Sequence, residues 1–442
     1  MKRVAKKGAR APVIDPYLPG SGNFGYRVSR YVLDLEYKVS GHRLAGTATI
    51  TAVTLASLRT FTLDISDSLA VSKVTVNGRR PAHFATGGGK LRIRLEAALP
   101  AGSAMSIVVR YGGSPRPINS IWGTVGFEEL SNGVLVAGQP NGSPSWFPCD
   151  DHPSAKASYR IQISTDNPYL TVANGELVSR KVRAAQTDWI YEQSEPTSTY
   201  LVTLQIGMYV NHPFPKAPVE MRAVLPDRLR ANFDHDFARQ PQMMKLFTKL
   251  FGPYPLAAGY TVVVTEDNLE IPLEAQGISI FGANHCDGTR GHERLIAHEL
   301  AHQWFGNSVT VRHWRDIWLH EGFACYAEWL WSENSGGATA DELARTYHRR
   351  LASSPQDLLL ADPGAPNLFD DRVYKRGALT LHALRGVIGD ANFFDLLRSW
   401  SNRYRHATAV TDDFTGMAAN YAQVSLRPLW DAWLYSVEVP QL

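Results

Sequence analysis

The chain has 442 residues, 44% of them hydrophobic and 20% charged; this balance excludes a disordered protein and allows two or three domains. Its 45 basic and 42 acidic side chains leave a formal charge of +3. Lys2, Arg3, Lys6, Lys7 and Arg10 crowd into the first ten positions, so the remainder is near neutral and offers no basic face for nucleic acid. No apolar run reaches the roughly 18 residues that a membrane helix needs.

Residues 1–22 read as a basic, flexible tail. The stretch Ala11-Pro-Val-Ile-Asp-Pro16 that follows the charges is not the apolar core of a secretory leader. Cys149, Cys286 and Cys325 stand far apart without a CxxC pair, which points to reduced thiols and a cytoplasmic location. From about Tyr26 the pattern alternates with period two: Tyr31, Leu33, Leu35, Tyr37 and Val39 face one way, and Arg30, Asp34, Glu36 and Lys38 the other. Further strands are predicted at Thr47–Val53, Phe61–Ile65, Val74–Val76, Leu91–Leu95 and Met105–Tyr111. Turn signals such as Asn77-Gly78 and Gly112-Gly113 separate them, and β character persists through Tyr159–Ser164 to Tyr200–Tyr209. The expectation for 23–211 is an all-β domain, an antiparallel sandwich or saddle.

The proline cluster at Pro213, Pro215 and Pro218 marks the boundary, and 212–442 reads as a mixed, mainly helical domain. A helix is predicted at Asp234–Phe251, then strands at Thr261–Thr265 and Gln276–Phe281. Helices follow at Gly291–Phe305, Trp314–Glu333, Thr339–Leu351, Arg372–Ile388, Ala391–Arg403, Asp412–Gln423 and Leu426–Leu434. The fold class is therefore α+β and multidomain.

The segment richest in chemistry is His298-Glu299-Leu-Ala-His302. Residues four apart share a helix face, so both imidazoles can converge on one metal ion with Glu299 beside them. A catalytic zinc takes three protein ligands and keeps an open position for water. Glu321, after 18 intervening residues and inside another helical stretch, is the third candidate. His285, His292, His313 and His320 lie at no ligand spacing relative to the motif and read as ordinary histidines.

This spacing resembles the gluzincin aminopeptidases, the family of aminopeptidase N and leukotriene hydrolase. Phe147-Pro-Cys-Asp-Asp-His-Pro153 with Lys156-Ala157 resembles that family's FPCxDEP…KA segment. Ser198-Thr-Tyr-Leu201 resembles its last β-domain strand, and Tyr374-Lys-Arg-Gly377 its YxKG motif. The resemblance runs from about Tyr26 to Leu442. It implies a thermolysin-like zinc catalytic domain at 212–442, with one Zn2+ held by His298, His302 and Glu321, and Glu299 as general base. It implies that Tyr374 donates to the oxyanion; without the family, Tyr374 reads as a core aromatic on a helix face. The family's GxMEN glutamate, which holds the substrate's free α-ammonium, corresponds to Glu274 in Ile271-Pro-Leu-Glu-Ala275, otherwise a solvated loop carboxylate. Ile, Leu and Ala replace the Gly, Met and Asn of that motif, and Pro272 removes a backbone N–H from an edge strand that borders the substrate in the family. Gln139 corresponds to a family residue reaching the substrate's first side chain and amine, and reads equally as a turn residue. Asp316 reads either as the acceptor that orients a ligand histidine or as a helix-start carboxylate.

The implied activity is removal of N-terminal residues from peptides with a free N-terminus, with no nucleic acid or membrane as partner. The alternatives are an epoxide or ester hydrolase on the same scaffold and a catalytically weak peptide-binding protein, which the altered 271–275 stretch motivates. Longer relatives continue into a helical domain that covers the site; a chain that is complete at Leu442 is expected to have a more open one.

Overall fold

Alternation of side chains along Tyr26–Lys38 builds the first half of the molecule. In the computed structural model, which describes residues 14–214 and 216–442, this strand buries Tyr31, Leu33, Leu35 and Tyr37 and turns Asp34 and Glu36 outward. It lies inside a seven-stranded sheet ordered Glu176–Val182, Gln186–Ser198, Lys156–Asp166, Tyr26–Lys38, Arg43–Thr54, Ala104–Gly113 and Leu69–Val76. The expected antiparallel arrangement needs one correction here. Tyr26–Lys38 and Lys156–Asp166 run parallel, from Arg30 opposite Ser158 to Tyr37 opposite Thr165. A parallel partner requires a long return path, and the chain between them supplies it by building most of the domain. A three-stranded sheet (Leu58–Asp64, Lys90–Leu99, His83–Gly87) and a five-stranded one complete the layers. The latter is ordered Leu170–Ala173, Leu204–Gly207, Gly133–Ala137, Gly123–Leu130 and Ile118–Ser120. Tyr31, Tyr159, Trp146 and Phe147 sit in the core between them.

The change of sheet falls between Gly207 and Val210, slightly ahead of the prolines: Val210–Pro213 already pairs with Met221–Leu225. These two open a second five-stranded sheet, continued by Tyr260–Val264, Ile278–Phe281 and the edge strand Leu273–Ala275. Its three central strands are parallel. The first crossover carries α1 (Arg230–Asp236) and α2 (Gln240–Phe251). Pro241 at the start of α2 splits the single helix expected over 234–251, because proline is favoured in a first turn and not inside a helix.

The remaining helices are α3 (Glu293–Ala301), α4 (Trp318–Asn334), α5 (Ala340–Ala352), α6 (Asp371–Ile388), α7 (Asp390–Arg403), α8 (Thr411–Ala418) and α9 (Arg427–Trp433). The helix expected to reach Gln423 ends at Ala418 in a 3-10 turn, Ala419–Tyr421. Helix α4 is buried from Trp318 to Trp331, as its apolar residues on every side require, and this places Glu321 in the interior.

Residues 1–13 of the expected tail lie outside the described residues. The rest of it, 14–22, is docked and not free. Asp15 accepts N–H bonds from Tyr17 and from Trp314, and the Tyr17 hydroxyl joins Asp362 and Gly364. An apolar seam of Leu135, Val172, Val224, Val263, Ile278 and Ile280 joins the five-stranded sheet of the β domain to the second five-stranded sheet. Beside it Lys156 Nζ donates to the carbonyls of Asn307 and Ser308, each at 2.8 Å. Among the described residues, no helix is long and apolar enough to cross a membrane.

Candidate metal centre and active site

His298 and Glu299 lie in the last turns of α3, with His302 at its C-terminal cap. Glu321 lies in the first turn of α4, where the exposed N–H groups of the helix favour a carboxylate. The crossing of the two helices brings Nε2 of His298 to 3.3 Å and Nε2 of His302 to 3.4 Å from Glu321 Oε2. With metal–ligand bonds of about 2.0–2.1 Å, neighbouring corners of a tetrahedron stand ~3.3–3.4 Å apart, so these donors fit a zinc ion.

The opposite ring nitrogens are also engaged. His298 Nδ1 donates to Glu328 Oε1 at 2.7 Å and His302 Nδ1 to the Phe305 carbonyl at 2.9 Å. These bonds turn both Nε2 lone pairs toward the ion position. Glu328 was missed in the sequence, although it stands seven residues after Glu321, two turns along the same helix face. Arg294, one turn before His298 on α3, reaches Glu328 at 3.3 Å. Asp316, weighed above as the histidine's acceptor, does not play that part: its Oδ1 accepts from Thr411 N at 3.0 Å and Thr411 Oγ1 at 2.6 Å and anchors the start of α8. His320 and His285 stand outside the ligand set; His320 Nε2 accepts the Val311 N–H at 2.8 Å, and His285 Nδ1 that of Gly282 at 3.2 Å.

The electrostatics are those of a cation site. Burial pulls His298 and His302 down, but the surrounding carboxylates more than reverse it and raise them to about 9 and about 10, His298 through Glu321 and Glu328 and His302 through Glu321 and Glu274. Burial would raise Glu321, and the two histidines instead hold it well below the carboxylate range. Burial also pushes Glu299 up to about 8. Its Oε2 is enclosed and has no hydrogen-bond partner among the described residues.

Glu274 projects from the edge strand and offers an oxygen within 4.8 Å of ligand atoms of Glu299 and His302. Gln139, from the β domain, donates through Nε2 to Glu274 Oε1 at 2.7 Å. The structure therefore brings together the two residues that the sequence separates by 135 positions. Gln303 and Asn307, unremarked in the sequence, tie the edge strand to the end of α3 by donating to the Ala275 carbonyl at 3.3 and 2.9 Å. They stand one and five residues after the second histidine, which was their available signal. Tyr374 stands in the first turn of α6, which Asp370 caps by accepting from Arg372 N. Its ring stacks on His298 with centroids 5.9 Å apart. Burial and the nearby Glu321, Glu274 and Glu299 keep its hydroxyl protonated and so able to donate a hydrogen bond.

Comparison with known proteins follows the two halves of this architecture. The Peptidase M1 N-terminal domain matches residues 28–201 and the Peptidase family M1 domain matches residues 237–433. The chain is 24% identical over 371 residues to Aminopeptidase M1-A of Oryza sativa subsp. japonica, covering 78% of this chain and 42% of that one. It spans about half, or less, of the length of the curated relatives it matches. The crystal structure of an M1 zinc metallopeptidase from Deinococcus radiodurans superposes with a TM-score of 0.88 at 27% identity, over 98% of this chain and 99% of that one. A mutant of that enzyme bound to a Tyr-Ser-Ala substrate gives 0.87 at 27% identity over 98% of each chain. With both domain types matched in order and the HExxH helix paired with Glu321 at ligand distance, the chain belongs to peptidase family M1.

Proposed function

We propose that the protein is a zinc-dependent aminopeptidase acting on peptides with a free N-terminus. The observation that carries this reading is the cluster in which the donors His298, His302 and Glu321, the buried carboxylate of Glu299 and the Glu274–Gln139 pair converge. Zinc, when bound, supplies Lewis acidity that polarises a peptide carbonyl and acidifies water. Glu299 takes the proton of the attacking water and returns it to the leaving amine. The Tyr374 hydroxyl donates to the oxygen on which negative charge develops, a contact typically worth about 3–4 kcal/mol. Glu274, held by Gln139, binds the substrate's α-ammonium group and so registers the first peptide bond at the metal. Three buried, unpaired thiols support a cytoplasmic location.

The test is hydrolysis of aminoacyl chromogenic amides, each beside its N-acetylated twin, before and after chelation and zinc restoration. Cleavage of the free-amine members alone, lost with the metal and regained with it, is the expected result. Glu299→Gln should retain zinc and lose about 10²–10⁴-fold in kcat. Equal cleavage of the acetylated twins would remove Glu274 from the amine-binding role. No cleavage by a zinc-loaded protein would turn the assignment to peptide binding.

A further inference from the structure

A second group of metal-ligating side chains lies apart from the catalytic centre. Asp15 in the docked N-terminal segment, His152 in the loop before the strand Lys156–Asp166 and His313 ahead of α4 each present a ligand atom, all within 4.8 Å of one another. They are 1%, 5% and 8% exposed. His313 Nδ1 is enclosed, has no hydrogen-bond partner among the described residues, and points at Asp15 Oδ2 from 3.9 Å. The imidazoles of His152 and His313 meet edge to face, centroids 6.0 Å apart.

Each donor is braced from behind. Asp15 Oδ1 accepts from Tyr17 N at 2.9 Å and Oδ2 from Trp314 N at 2.7 Å, which fixes the carboxylate plane. His152 Nδ1 bonds Ser154 Oγ at 2.8 Å, the backing contact that in metal sites orients the other ring nitrogen toward the ion. Gly22 packs directly on the His152 side chain; a Cβ there would come within 2.9 Å of the His152 Cβ and 3.3 Å of its ring. Beside His313 opens a cavity of about 550 Å³, with Arg312, Arg315, Asp316, Asp362 and Asp412 on its walls, which provides an entry path.

We infer that Asp15, His152 and His313 form a second, structural metal site for a divalent ion of the zinc type. Two imidazoles and a carboxylate are a donor set suited to such ions. The donors stand wider apart than the ~3.3 Å corners of a zinc tetrahedron. Loading draws them together and cross-links the N-terminal segment, the β domain and the catalytic domain at one point.

Zinc content per chain tests this, measured by mass spectrometry on the chelator-stripped, zinc-reloaded protein after gel filtration. The wild type should hold two ions. His298→Ala should lose one, and His313→Ala the other. Asp15→Asn, which keeps an oxygen for a backbone N–H bond, is a milder variant should His313→Ala not fold, and it should also hold one ion and keep its hydrolytic activity. A wild type with a single ion that His298→Ala loses and His313→Ala keeps would overturn the second site and leave the proposed function intact. A single ion lost in His313→Ala but retained in His298→Ala would do the reverse. A second ion that persists in both His313→Ala and Asp15→Asn would also overturn the assignment.

Discussion

His320 stands beside a metal ligand in sequence and is fully buried, yet its ring works for the fold. Its Nε2 accepts the Val311 N–H, a role open only to the neutral imidazole. Burial, reinforced by His302 and Lys156, holds its pKa down at about 3. The unfolded chain therefore binds the extra proton between about pH 6.5 and 3, so this contribution is complete above pH 6.5 and disappears as the pH falls toward 3. Urea unfolding of metal-free wild type and His320→Gln checks it, since the histidine ligands then titrate alike in both. The wild type should lose more stability than the variant between pH 7 and 5; coincident profiles would show that His320 is not the group responsible.

Two of the three helices that bear the chemistry, α4 and α6, cross at Gly322 and Gly377. A Cβ built on Gly377 would lie 2.7 Å from the Gly322 Cα, and backbone cannot yield as a side-chain tip can. Gly322 follows Glu321, and Gly377 lies one turn beyond Tyr374, so the contact gauges the distance between a metal ligand and the hydroxyl. Gly377→Ala should lower stability by about 1–3 kcal/mol through overpacking. By displacing Tyr374 it should also reduce kcat by up to about 10²-fold with little change in KM. Full activity at reduced stability would show that the crossing is structural alone. Helix periodicity made α2 to α9 legible within a few residues at most of their ends. Two strands that lack alternation were not singled out. Gly133–Ala137 is apolar and buried almost throughout, and Glu176–Val182 is exposed along nearly its whole length.

At the scale of the whole molecule, the β domain reaches the proposed active site. Gln139 reaches Glu274, and Lys156 satisfies two carbonyls in the turn that follows His302. Burial pulls the Lys156 ammonium well below its ordinary range, the expected effect of desolvation where no carboxylate among the described residues pairs with it. Lys156→Met should leave those carbonyls unpaired and lower stability by about 2–4 kcal/mol in denaturant unfolding. A change under about 0.5 kcal/mol would place the bridge among contacts that water replaces. The family's fold and the convergence of His298, His302 and Glu321 could be read from residue order because helix geometry converts a spacing of four into a shared face, and Glu321 stood in a second helical stretch able to pack against it. The partnership of Glu328 with His298, the meeting of Gln139 and Glu274, and the cluster of Asp15, His152 and His313 were decided by tertiary structure. These residues come from separate elements, and their juxtaposition follows from how sheets and helices pack, on which local spacing carries no information.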